Sequence, residues 1–132
     1  MALPGGRRDP GDPDLVATAL RETAEEVGLT LVREQLVGTL DDVVPRTPVL
    51  PPIAVRPHVF LLPSQPALVL NPEVAAANWV TFDRLLRAGT YRSVALDVAG
   101  EIRQFPAYHL DQAPVWGLTE RVLTNLLASL TP

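Results

Sequence analysis

The chain has 132 residues, a net charge of -4 and 47% hydrophobic residues, one domain's worth of chain that is too apolar for intrinsic disorder. It has no cysteine, two histidines and only arginine among its 11 basic residues. These counts exclude a disulfide scaffold, a thiolate zinc site, a cysteine nucleophile, a Schiff-base lysine and a phosphate-loop lysine, and the weakly acidic balance argues against a general nucleic-acid binder.

Residues 1–12, rich in Gly, Pro, Asp and Arg, read as a loop. A helix is predicted over 13–27, with Asp12 as N-cap, Pro13 in the first turn, Gly28 as the stop and Val16, Ala19, Leu20, Thr23 and Val27 as its inward stripe. Residues 35–44 and 53–62 read as strands, the second interrupted by Pro57, with the four prolines of 45–52 as a loop between them. Residues 63–72 form a further loop. Trp79-Val80-Thr81-Phe82 reads as a short strand running into a helix over 82–88. Residues 91–97 and 101–108 alternate and suggest a hairpin through Val98-Ala99-Gly100. A last helix over 119–130 carries Leu118, Val122, Leu126 and Leu130 as one stripe. Strands and helices mixed in one chain indicate an α/β or α+β fold. No run approaches the ~20 apolar residues that span a bilayer, and Met1-Ala2-Leu3-Pro4 does not resemble a signal peptide, so the expected location is the cytoplasm.

The informative segment is Arg21-Glu22-Thr23-Ala24-Glu25-Glu26-Val27-Gly28-Leu29. Glu22, Glu25 and Glu26 stand at i, i+3 and i+4, which puts three carboxylates on one helical face. Like charges at that spacing repel unless something neutralises them, and a hard divalent cation does so through oxygen ligands. Arg21, four residues before Glu25, can pair with it. On its own such a triplet reads as a solvated acidic face with an intrahelical pair, and only its context points elsewhere.

Pro4-Gly5-Gly6 stands upstream, followed by Asp9 and Asp12. A glycine pair, an acidic residue and then Arg-Glu-x-x-Glu-Glu-x-Gly-Leu resembles the Nudix box, the loop–helix–loop motif of a family that hydrolyses a diphosphate joined to another moiety. Asp replaces the first glutamate of the general pattern, and one residue is inserted before Arg21. Both departures resemble the coenzyme A pyrophosphatase branch, as do Gly38-Thr39-Leu40-Asp41-Asp42, Val55-Arg56-Pro57-His58-Val59-Phe60, Glu73-Val74, Phe105-Pro106-Ala107-Tyr108 and Val115-Trp116-Gly117-Leu118-Thr119.

The resemblance implies a single domain over 1–132, an α/β/α sandwich with a mixed sheet, in which residues 1–12 are the loop and 13–28 the box helix. It implies magnesium or manganese as cofactor, held by Glu22, Glu25 and Glu26, with Arg21 orienting them and Glu73 as the candidate general base. Gly5 and Gly6 would let the backbone approach the phosphates, and Arg7 and Arg56 would contact them. Arg8 and Arg46 are further candidates for such contacts, and Asp41, Asp42, His58 and His109 read as structural, as do Trp79 and Trp116 in the core. The implied partner is a small-molecule diphosphate, coenzyme A or a relative such as ADP-ribose or NADH, with neither nucleic acid nor membrane. Members of the branch carry two strands ahead of Pro-Gly-Gly. An N-terminally truncated sheet is therefore expected, and its open edge predicts a homodimer. The alternative from another class is a binding or assembly module on the same fold.

Overall fold

In the computed structural model, residues 1–46 and 53–130 are described. They group into two compact units, one of residues 3–41 and 56–78 and the other of residues 1–2, 42–46, 53–55 and 79–130.

The first unit is built on helix α1, Leu15–Val27. The Asp14 carboxylate caps it by accepting from the Ala17 amide at 2.9 Å, and Gly28 closes it in the left-handed region at φ 68°. The helix thus begins two residues later than the sequence predicts, because Asp14 takes the capping role expected of Asp12. Thr18, Thr23 and Val27 are buried and Val16, Ala19 and Leu20 half-buried, as the inward stripe requires. After a 3-10 turn at Arg33–Gln35, strand β1 (Leu36–Thr39) pairs antiparallel with β2 (His58–Phe60). Both are far shorter than the predicted 35–44 and 53–62. Pro57 has no amide to donate, so the ladder ends with the Leu40 amide donating to the Pro57 carbonyl at 3.0 Å. The segment after β2 returns to the end of α1, where the Val69 and Asn71 amides donate to the carbonyls of Val27 and Glu26 at 2.9 and 3.0 Å. Two of the carbonyls that a helix leaves orphaned at its C-terminus are satisfied this way.

The second unit holds helix α2 (Phe82–Leu86), strands β3 (Tyr91–Val98), β4 (Glu101–His109) and β5 (Pro114–Val115), and helix α3 (Leu118–Leu130). The hairpin is where the alternation places it. Ala99 and Gly100 both take positive φ (54° and 85°), the geometry that matches the twist of the flanking strands, and the full register runs from Tyr91↔Tyr108 to Val98↔Glu101. Residues 79–82 do not form a strand. Thr81 instead caps α2, its hydroxyl accepting from the Arg84 amide at 3.1 Å, and the helix stops at Leu86 rather than 88. Trp79 and Trp116 are 46% and 44% exposed, against the expectation that they are core; Trp116 stacks on Phe105 with ring centroids 5.3 Å apart.

The core of this unit is Leu85, Tyr108 and Val115, packed against Leu110, Leu123 and Leu127. The predicted α3 stripe drifts off it. A spacing of four advances about 40° per step around a helix, so Val122 is buried while Leu130 is 57% exposed. Tyr91 and Tyr108 stack at 4.8 Å, the Tyr91 hydroxyl donates to buried Glu120 at 3.1 Å, and Tyr108 shares a hydrogen bond with Thr124 at 2.7 Å. Burial first, then the negative Glu120 carboxylate, raises the Tyr91 pKa above its ordinary value. Helices and sheets in one chain give the mixed α and β class expected, but the mixed sheet resolves, among the described residues, into two sheets whose strand pairs are all antiparallel. Among the described residues no helix is long and apolar enough to cross a membrane.

Candidate active site

Every candidate site residue but Arg46, which is exposed in the second unit, lies in the first. The N-terminal loop folds over the acidic face of α1, and Arg21 joins the two. Its Nη1 donates to Glu22 Oε1 at 3.0 Å and to Glu25 Oε2 at 3.3 Å, and its Nη2 donates to the Arg7 carbonyl at 3.2 Å. The pairing with Glu25 is the i, i+4 contact that the spacing predicts.

The other side of the guanidinium is held by Asp12, whose residue is only 7% exposed. Arg21 Nε and Nη2 grip its two oxygens at 3.1 and 2.9 Å, a fork-to-fork pair of the strong, bidentate kind. Asp12 Oδ2 also accepts from the Asp9 amide and the Thr18 hydroxyl, each at 2.9 Å. A buried carboxylate with this many donors is stabilised as the anion. The Arg21 bond, then the Asp9 amide, hold the Asp12 carboxyl far below the usual carboxylate range, and Asp12 in turn raises Arg21. Arg8 braces the same loop, donating to the carbonyls of Asp12 and Pro13, so its guanidinium is engaged in structure. The anchoring role of Asp12 escaped sequence reasoning. An acid just before a Pro-containing helix start reads as a cap, and the available signal was a second capping acid, Asp14, two residues on.

The glycine pair touches the glutamates directly. The Gly5 amide donates to Glu26 Oε1 at 2.9 Å. Gly6 lies against Glu22 so closely that a Cβ on it would run into the carboxyl group. The second oxygens of Glu22 and Glu26 receive no hydrogen bond from another described residue. The structure therefore brings together Gly5, Gly6, Arg21, Glu22, Glu25 and Glu26. Arg7 joins through its main chain, its side chain being exposed. Arg56 is exposed two residues ahead of β2, and exposed Glu73 sits in a turn whose amide donates to Asn71 Oδ1 at 2.9 Å. No hydrogen bond among the described residues joins the Glu73 carboxylate to the helix glutamates. His58 is a β2 residue whose Nδ1 shares a hydrogen bond with Thr39 Oγ1 at 3.0 Å.

The donor set suits a hard divalent cation: all carboxylate oxygen, with no thiol or imidazole. Among the described residues no three acidic or histidine side chains converge closely enough to hold an ion by themselves. Magnesium does not require that, since it takes one or two carboxylates and completes its shell with waters and substrate phosphates. Glu22 and Glu26, each with an oxygen to spare beside the glycine loop, meet that requirement.

Comparison with known proteins places these observations in a family. Residues 1–98 match the model of the NUDIX domain. Over 127 residues the chain is 34% identical to a protein of Photorhabdus laumondii named Nudix hydrolase NudL, covering 96% of this chain and 66% of that protein. A protein of the same name from Shigella boydii is 29% identical over 128 residues, covering 96% and 64%. A mitochondrial coenzyme A diphosphatase of Mus musculus is 48% identical over a shorter stretch of 46 residues, 35% of this chain and 22% of that one. The chain thus spans at most about two thirds of the length of these relatives. With the family model matching three quarters of its length, the chain belongs to the NUDIX domain family.

Proposed function

We propose that the protein is a magnesium-dependent diphosphatase that cleaves the diphosphate linkage of coenzyme A or a related nucleoside diphosphate derivative, with manganese as a substitute cation. The carrying observation is that Glu26 accepts from the Gly5 amide and Glu22 from Arg21 through one oxygen each, with Gly6 in close contact with the Glu22 carboxyl. When bound, the cation supplies Lewis acidity toward the diphosphate and makes a water more acidic.

The chain's own residues do the rest. Glu22 and Glu26 hold the cation, with Glu25, more exposed than Glu22 and tied to Arg21, as a further ligand or water-mediated partner. Arg21 keeps the carboxylates from turning away from one another. The side chains of Arg7 and Arg56 pair with phosphate oxygens, for which the guanidinium fork is suited. Glu73 takes the proton from the attacking water, its loop being fastened to α1 through Asn71 and Glu26. The coenzyme A preference rests on the branch-like segments of the sequence and on the short match to the mitochondrial diphosphatase.

The test incubates the protein and its Glu26→Gln variant with coenzyme A, NADH and ADP-ribose, with and without magnesium. The expected result is metal-dependent release of 4'-phosphopantetheine and adenosine 3',5'-bisphosphate that falls to background in the variant. Cleavage of ADP-ribose or NADH alone would reassign the substrate. A folded protein that turns over none of the three overturns the enzymatic proposal and leaves a binding module.

A further inference from the structure

We infer that Thr18 is a positioning residue: its buried hydroxyl, through Asp12 and Arg21, sets the orientation of the Glu22 and Glu25 carboxylates. The inference rests on the proposed function for its kinetic arm, and on geometry alone for its spectroscopic one.

Thr18 is 3% exposed, one of five buried polar or charged residues among those described, and the direct chemistry has no use for it. Its Oγ1 is 2.9 Å from Asp12 Oδ2 and 3.3 Å from the Asp14 carbonyl. The hydroxyl has one proton, and the nearer, anionic oxygen is the stronger acceptor. Asp12 Oδ2 therefore takes three donors from three directions: the Asp9 amide from the loop, Thr18 from the helix, and Arg21 Nη2. Two of these reference points are independent of Arg21, and together they fix the plane of the carboxylate. That plane fixes the guanidinium, because Arg21 binds both Asp12 oxygens at once. The guanidinium plane then decides where Nη1 points, and Nη1 is the donor to both Glu22 and Glu25. Remove the hydroxyl and the Asp12–Arg21 pair survives but can pivot about the Asp9 contact. Thr18 stands four residues before Glu22 on the same helix, so the chain of contacts runs off the helix and returns one turn later.

The test compares wild type with Thr18→Val, which keeps the shape and removes the hydroxyl, and Thr18→Ser, which keeps the hydroxyl and removes a methyl. Thr18→Val is expected to lower kcat for the cleaved substrate by about tenfold, the scale of one lost hydrogen bond to a charged group, with KM little changed. Thr18→Ser is expected to restore most of the rate despite its smaller side chain. In parallel, the Arg21 Nε–H resonance, assigned with Arg21→Gln, is expected to shift and broaden in Thr18→Val and to return toward wild type in Thr18→Ser. A Thr18→Val variant with wild-type kcat, or a serine variant as impaired as the valine one, overturns the inference, and so does an unmoved Arg21 resonance. Should the wild type cleave none of the substrates, the proposed function fails by that result while the resonance still decides the role of Thr18.

Discussion

Replacing Gly28 by alanine separates two costs that the end of α1 imposes on any side chain. The first is conformational. Gly28 sits at φ 68° and ψ 22°, and an L-residue there is less stable by about 1–2 kcal/mol. The second is crowding. A Cβ at this position would lie 2.7 Å from Val69 Cβ and 2.8 Å from the Val69 carbonyl oxygen. The latter cannot swing aside, because the Val69 amide is bonded to the Val27 carbonyl. Overpacking of this kind costs about 1–3 kcal/mol, and alanine recovers about 0.4–1 kcal/mol by restricting the unfolded chain. The net loss is about 2–4 kcal/mol. At the usual unfolding entropy per residue, a chain of this length loses about 3–4 °C of Tm per kcal/mol, so thermal melting followed by circular dichroism should show a fall of roughly 6–15 °C. Gly117 provides the control: its φ is 72°, yet nothing lies within 4 Å of a Cβ built there. Gly117→Ala carries the conformational cost alone and should lower Tm by about a third as much. If the two variants melt together, the crowding against Val69 is not a constraint and the packing of residues 69–71 on the helix end is wrong.

Gly6→Ala should leave Tm close to wild type, since the obstructing atoms belong to the end of the Glu22 side chain, while turnover and Mn2+ affinity measured by electron paramagnetic resonance fall because Glu22 must turn away. Leu85→Ala, which empties the centre of the Leu85–Tyr108–Val115 cluster, should cost about 2–5 kcal/mol in urea unfolding. Arg33 Nη2 donates to Asp14 Oδ1 at 2.7 Å, and this bond, ahead of the Ala17 amide, lowers the Asp14 pKa. A lowered carboxylate pKa adds stability that is present above the unfolded value and lost as pH falls through the folded one. The Tm advantage of wild type over Arg33→Gln should therefore be present at pH 7, shrink below pH ~4, and be reduced by salt.

The parts of the fold that were legible in the sequence are those in which neighbouring residues decide the structure. The β3–β4 hairpin follows from alternation plus a pair of residues able to take positive φ. The acidic face of α1 follows from the 3.6 period. The strands β1 and β2 were over-read because apolar runs look alike whether or not their amides find partners, and Pro57 limits the ladder in a way only the pairing reveals. At the candidate site, type and spacing single out the glutamates and Arg21, and the resemblance adds the glycine pair. It does not say that Glu26 spends one oxygen on Gly5, nor that Asp12 anchors and Asp14 caps, because two acids two residues apart at a helix start satisfy the same local rule. Arg7, Arg56 and Glu73 stand out only by resemblance, since an exposed residue in a loop carries no periodic signal.

Glu26 is gripped at both ends. Its side chain takes the Gly5 amide from the loop ahead of α1, and its main-chain carbonyl takes the Asn71 amide from the loop behind it. Two segments some 65 positions apart in sequence therefore meet on one residue. The glycine loop and the turn carrying Glu73 thus share Glu26 as a common point of attachment, the first through its side chain and the second through its main chain.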